Sequence, residues 1–515
     1  MADQSATQGP AELTELSARL DMLLLCLKVE IFHDLIQLCG CALDNEGMST
    51  TRIVPSGRST AWYLGWVTAA TLVVNVLSYA LHLVATNALG PNGYGQFASL
   101  LAVQVVATVP ALALQTVVAR ELVRGAEPGA LRQLIRRLVA GVAAVSIVVA
   151  ALLCLWFRQW PWWVTAAAFV AVPVLAGMSG ELGIIQGRSS FGPLGWALLG
   201  AGIGKFVPAT VVMVLLTDGG TGSAGAGAAG AVGTAGAEFT TSPVSSLSSV
   251  AAWTFVAIAV GCALAWAGVR AWNAREERKE RGKQKAHLAS EQATSEQATS
   301  ERSVPVQAVS VRSVLWASQL QFLIMVFTQL DLVLVPRLLA PEEAGFYAAG
   351  AIFTKIALWL PGAVVLVFYP QMAEAQRGSH AVRRAVLLLI GIGAVVVAGT
   401  ALVAPWVPAL IGEQFRPVVP WLWLFALLGA IFSVLQALVV GEIAEASRQT
   451  RFRAALVWPL VLVEAVLLLV WGTTPLAVLL IAVGCASAAV VLVVAARFYS
   501  AKGAAATSSE RLGSS

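Results

Sequence analysis

Twelve stretches of mostly apolar residues, each about as long as a membrane crossing, recur along this chain. They lie near 61–87, 95–118, 134–157, 163–186, 193–216, 249–271, 313–338, 345–368, 382–405, 419–441, 453–471 and 475–497. A helix rises about 1.5 Å per residue, so roughly 20 apolar residues cross the ~30 Å hydrocarbon layer of a bilayer. Only 12% of the residues are charged, about half the share in a soluble domain. That leaves too little polar surface to cover a water-soluble particle. The expected fold class is therefore all-α: a polytopic membrane protein with about twelve transmembrane helices.

The net charge of +5 would suggest a nucleic-acid partner in a soluble protein. Here the basic residues sit between apolar stretches, where they set orientation, and no nucleic-acid partner is expected. Arg120, Arg124, Arg132, Arg136 and Arg137 separate the second and third stretches. The next connection has only Arg158, among Trp156, Trp160, Trp162 and Trp163. Arg270, Arg275, Arg278, Lys279, Arg281, Lys283 and Lys285 follow the sixth stretch, whereas 217–248 has neither Lys nor Arg. The alternation continues through Arg383 and Arg384 to Arg451 and Arg453. It predicts a multi-pass protein of the plasma membrane with both termini cytoplasmic, the tryptophans forming an outer interfacial belt.

Cysteine usage points to no metal. Cys154, Cys262 and Cys485 lie in or beside apolar stretches and read as small packing residues. Cys26, Cys39 and Cys41 match no zinc spacing. No Gly-rich phosphate loop ending in Lys-Ser/Thr is present, so no cofactor is expected.

The organisation divides into five parts. Residues 1–58 form an N-terminal extension with an amphipathic helix marked by Leu20, Leu24, Leu27, Ile31, Leu35 and Leu38, whose partner is unknown. Residues 59–272 hold six spans, with a flexible outer linker at 217–248. Residues 273–309, with REERKERGKQK and SEQATSEQATSER, read as a disordered basic cytoplasmic linker. Residues 310–500 hold six more spans, and 501–515 are a cytoplasmic tail.

A repeat ties the halves together. ALGPNGYGQFASL at 88–100 returns as LLAPEEAGFYAAG at 338–350; at an offset of 250, Leu89, Pro91, Gly95 and Ala98 match Leu339, Pro341, Gly345 and Ala348. Six is even, so both halves share one orientation and are related by an axis along the membrane normal. Secondary transporters use such repeats, with the substrate path at their interface. One chain encloses a whole path, so a monomer is expected.

LGPNGYGQFASLLAVQ, VVARELVRG and QLDLVLVPRLLAPEEAGFYAAG resemble the polysaccharide-type lipid-linked oligosaccharide flippases of the multidrug/oligosaccharidyl-lipid/polysaccharide (MOP) exporter superfamily. The resemblance spans roughly 60–500. It implies a V-shaped pair of six-helix bundles around a central cavity, embedded in membrane lipid. Its implied substrate is a lipid-linked glycan of the undecaprenyl-pyrophosphate type, moved from the inner to the outer leaflet during polysaccharide assembly. Lipid-flipping members place cations in that cavity, including on the eighth span, where Lys355 stands. Their arginines on the first two spans have no counterpart: Asn75 and His82 occupy span one, and Gln104 and Gln115 span two.

An ionisable group at the bilayer centre costs about 2.5–3.5 kcal/mol on insertion scales. Lys205, Lys355, Asp331, His82 and Glu464 therefore stand out within the spans. One reading makes Lys205 and Lys355, with Asn75, His82 and Asp331, the lining of an anion-binding cavity. The other makes Asp331 the neutralising partner of a lysine, holding helices in register. Asp331 and Glu464 are also candidates for a coupling ion. Arg337 reads as an interfacial snorkelling residue.

No catalytic group is expected, and the chain reads as a non-enzyme. A polytopic glycosyltransferase would need outer acids; the long outer linker offers only Asp218 and Glu238. A multidrug or small-molecule exporter of the same superfamily is the alternative, ahead of a non-transporting scaffold.

Overall fold

The computed structural model describes residues 57–156, 161–188, 190–224, 243–292, 319, 321–359, 378–445 and 457–513. Residues Met1–Trp62 and Tyr63–Ser515 are separate units, and the architecture below is that of the second. The helix expected within 1–58, most of the outer linker and the tandem SEQATSEQATSER lie outside the described residues.

Among the described residues the α-helices are, in order, α1 (Gly57–Ala107), α2 (Val109–Val123), α3 (Pro128–Trp156), α4 (Trp162–Gly187), α5 (Phe191–Ala224), α6 (Pro243–Gln292), α7 (Leu330–Leu338), α8 (Pro341–Trp359), α9 (Gly378–Val403), α10 (Val407–Ile411), α11 (Leu422–Glu445), α12 (Val457–Trp471) and α13 (Pro475–Gly513), with a further helical stretch at 321–327 just before α7. Two 3₁₀ turns, Ala404–Trp406 and Glu413–Trp421, flank α10. The described residues contain no strand.

Among them, nine segments are long and apolar enough to cross a membrane. One of these, Gly65–Val123, has 59 residues, too many for a single crossing. It breaks at Gly90, whose φ of 60° and ψ of −179° suit glycine alone, and again at Thr108, ahead of Pro110. Pro91 then starts the second crossing without losing a hydrogen bond, since the first helical amide has no partner within the helix. The same segment thus supplies spans one and two. With α8 and the shorter apolar helix Trp458–Trp471, the layout is consistent with six spans in each half.

Each half is organised around one buried helix. In α4, 83% of the most apolar window is buried, and in the segment Glu413–Val439, which holds most of α11, 72%; the corresponding share in Val382–Ile411, which includes most of α9, is 11%. Glycines on α4 explain how it accommodates so many neighbours. A Cβ on Gly177 would meet Trp266 of α6, one on Gly180 would meet Ile135 of α3, and those on Gly183 and Gly187 would meet the α2 backbone at Gln115 and Ala119. Small residues allow this approach where lipid offers no hydrophobic drive between helices.

The 250-residue repeat reappears as a tertiary contact. Gln104 Nε2 donates to the Ala168 carbonyl at 2.8 Å, tying span two to α4. Thr354, 250 positions later, donates to the Phe425 carbonyl at 2.9 Å, tying α8 to α11. Both ties join the second span of a half to its central helix.

At three places regular structure runs further than expected. α6 continues past 273 to Gln292, through half of the stretch read as a disordered linker. α5 extends to Ala224 and α13 to Gly513, into the segments read as outer linker and tail. On α6 and α13 the Ala, Glu, Lys and Arg residues carry good helix propensity, and a helix already nucleated in the membrane propagates beyond it without a new nucleation cost.

Candidate functional site

The two repeated turns meet each other. A Cβ on Gly95 would stand 2.8 Å from the Ala344 carbonyl carbon and 2.9 Å from the Gly345 nitrogen, and one on Gly345 would run into the carbonyl of Pro91. Glycine at these two equivalent positions lets the main chains of the two halves touch. Ser99 Oγ donates to the Leu332 carbonyl and Asn87 Nδ2 to that of Leu410 at 3.1 Å, both across the halves. Tyr94 and Phe346, one from each half, meet Phe415 edge-on, with ring centroids 6.3 and 6.2 Å away. Gln414 covers Gly90. Together these contacts form a seal between the halves at the repeated turns.

The seal also orders the ionisable residues. His82 is buried, with Nδ1 2.9 Å from the Tyr94 hydroxyl. Asp331, also buried, accepts from the Tyr347 hydroxyl and from the Leu332 amide, the latter at 2.7 Å. In each half, a tyrosine at the start of the second span thus engages a titratable side chain of the first. Sequence reasoning missed both tyrosines, although each stands within two residues of a repeat glycine.

Lys205 and Lys355 are partly exposed on otherwise apolar helices. Lys355 lies close enough to Lys205 and Asp331, and both lysines close enough to His82, for their charges to interact. Lys355 is thus the common neighbour of the other three. Lys205 Nζ also lies 5.1 Å from the ring centre of Phe206. Neither lysine forms an ion pair among the described residues. The pairing of Asp331 with a lysine, one of the two readings above, is not formed, because tyrosine and backbone donors take its oxygens.

Glu464 on α12 is fully buried, and neither carboxylate oxygen has a hydrogen-bond partner among the described residues. Asp331, Tyr347 and Cys485 lie within electrostatic reach of it, so the two buried acids Asp331 and Glu464 share one region. Asn75 is half-buried on α1, about two turns before His82. Arg337 is exposed near the end of α7.

Solved structures show where this fold recurs. The chain superposes on a multidrug resistance MATE family transporter of the MOP superfamily, in its inward-facing conformation, with a TM-score of 0.53 and 13% identity. The alignment covers 82% of this chain and 94% of the other. A MOP superfamily transporter from Pyrococcus furiosus, described for the reverse polarity of its binding pocket, gives 0.49 and 16% over 85% and 94% of the two chains. The Vibrio cholerae MATE transporter VcmN in its bent form gives 0.47 and 15% over 85% and 98%. No protein-family model and no curated protein sequence matches the chain. The likeness to the inward-facing transporter establishes a multi-pass, all-helical fold of the MATE type.

Proposed function

We propose that this protein is a transporter of the plasma membrane that moves an amphiphilic anion by alternating access between its two halves. The observation that carries this reading is the crossing of the repeated turns, Gly95 against Gly345. Contacts there are main-chain approaches, a few hydrogen bonds and edge-on aromatic contacts, a small set that can part and re-form as rigid bundles rock. Positive-inside orientation would put both termini in the cytoplasm and this crossing on the outer side, so the contact between the turns supports a form closed on the outside.

The fold neighbour described as a multidrug resistance transporter supports export of small amphiphiles as the first reading of the substrate. Flipping of a lipid-linked oligosaccharide is the second, favoured by Lys205 and Lys355. Two ammonium groups inside a low-dielectric path, with no carboxylate at ion-pair distance among the described residues, attract phosphate or pyrophosphate strongly. Asp331 and Glu464 are the coupling-ion candidates: a carboxylate cannot stay ionised in apolar surroundings without a compensating cation. One chain holds both halves, so the monomer suffices.

Everted vesicles carrying equal amounts of wild type or the Lys205→Ala/Lys355→Ala double variant test the proposal. Lipids retained by the purified proteins are analysed in parallel by mass spectrometry. Uptake of anionic amphiphiles that the double variant loses supports anion export. A prenyl-pyrophosphate glycan retained only by the wild type supports the flippase. Unchanged uptake in the variant, or transport confined to cationic dyes, overturns the anion reading.

A further inference from the structure

Past the membrane, α6 carries two chemically different faces. At roughly 100° per residue, Asn273, Glu277 and Glu280 share one side of the helix, and that side is held to the bundle. Arg132 of α3 grips Glu277 with two parallel bonds of 2.7 and 2.8 Å. Arg188, just after α4, lies 3.5 Å from Glu277 and 3.3 Å from Glu280. Asn273 Nδ2 donates to Glu181 Oε2 at 2.8 Å and to the Glu181 carbonyl at 3.0 Å. Glu181, Asn273 and Glu277 are all buried. The first turns of the extension are thereby clamped to α3 and α4 as a rigid strut.

The clamp and a local pair use every acid on this stretch, since Glu276 bonds Lys279 at 2.6 Å. Arg270, Arg275, Arg278, Arg281 and Lys283, spread around the rest of the circumference, are exposed. None of them has an ion pair among the described residues. Their density is also high: five unpaired cations within about four helical turns. The apolar crossing ends near Val269, so Arg270 and Arg275 fall in the headgroup layer, about 5–8 Å deep. Arg278 and Arg281 lie within about two Debye lengths of it, and their long stems reach back.

We propose that this face of α6 binds the anionic phospholipid headgroups of the leaflet it adjoins, anchoring the first half to the membrane surface through a clamped, polybasic strut. Charge complementarity selects the occupant: a zwitterionic headgroup gives such a face no net attraction, whereas juxtamembrane Lys and Arg clusters gain from every anionic lipid within a Debye length. The inference is independent of the transported substrate.

Full-length protein in neutral detergent is titrated with phosphatidylglycerol or phosphatidylcholine, and bound lipid is counted by native mass spectrometry. The wild type is expected to prefer phosphatidylglycerol, with a preference that shrinks as salt is raised. The variant Arg275→Gln/Arg278→Gln/Arg281→Gln/Lys283→Gln leaves the clamp intact and is expected to bind the first phosphatidylglycerol about ten-fold more weakly. A parallel variant with the three arginines replaced by lysine keeps the charge and is expected to keep the preference, which separates charge loss from misfolding. Equal binding of the two lipids by the wild type overturns the proposal. So does a preference undiminished in the glutamine variant, or one lost from the lysine variant while its melting temperature is unchanged.

Discussion

Replacing Gly345 by alanine sets two opposing effects against each other at the crossing of the halves. In a helix, Gly→Ala is worth about 0.5–1 kcal/mol of added stability. At Gly345 the new methyl would lie against the Pro91 carbonyl oxygen, its carbonyl carbon and its Cα, all main-chain atoms. No side chain can swing away, so the halves themselves must separate. Overpacking of this kind costs about 1–3 kcal/mol, more than the propensity gain. The cost falls only on the form in which the two turns touch. A net penalty near 1.4 kcal/mol shifts the balance between closed and open forms about ten-fold.

The assay measures distance distributions between spin labels at Asn92→Cys and Glu342→Cys, both exposed beside the crossing, with the six native cysteines replaced. Gly345→Ala should move population to longer distances, and Gly95→Ala, which meets the backbone of Ala344 and Gly345, should do the same. Gly391→Ala, with nothing within 4 Å of its Cβ, should leave the distribution unchanged. If Gly345→Ala gives the wild-type distribution and an undiminished melting temperature, the two turns do not make the contact on which the proposed mechanism rests.

Three other outcomes follow from the geometry. Ser99→Ala removes one hydrogen bond across the halves, worth about 1 kcal/mol, and should lengthen the same spin-label distances less than Gly345→Ala does. Glu277→Gln leaves Arg132 and Arg188 facing a neutral amide in a largely buried site. It should destabilise the first half by about 2–3 kcal/mol, discounted for the partly exposed arginines, while Glu276→Gln should not change the melting temperature measurably. Tyr347→Phe deprives buried Asp331 of its hydroxyl donor and should cost about 1–3 kcal/mol, read as earlier thermal unfolding; an unchanged transition would show that another donor takes its place.

Asp331 shows how far residue type can be read without the fold. Its presence in an apolar stretch announced a buried polar contact, because an uncompensated acid there is too costly. Its partner was beyond sequence reasoning. A lysine was one candidate, but Tyr347 lies nearer in the packed bundle, and nothing in the spacing of charges reveals which donor an interhelical angle brings into reach. Glu181 was overlooked entirely, as one acid in the 26-residue helix α4, until Asn273 and Arg132 were seen around it. The turn at 88–100 was easier, since proline and glycine mark a chain reversal by their own backbone restrictions.

What the sequence alone determined is whatever depends on solvent and local geometry: crossings long enough for a bilayer, basic residues between them, two halves of six, and turns at Gly90–Pro91 and Leu339–Pro341. These follow from backbone hydrogen bonding in lipid and from single-residue sterics, neither of which requires knowing the neighbours. Only the tertiary structure decided that the repeated glycines face each other, that tyrosines rather than lysines engage His82 and Asp331, and that α6 leaves the membrane clamped on one side and basic on the other. Those outcomes depend on how helices cross and rotate. They are set by close packing among residues far apart in the chain, where one glycine in place of an alanine changes which surfaces can meet.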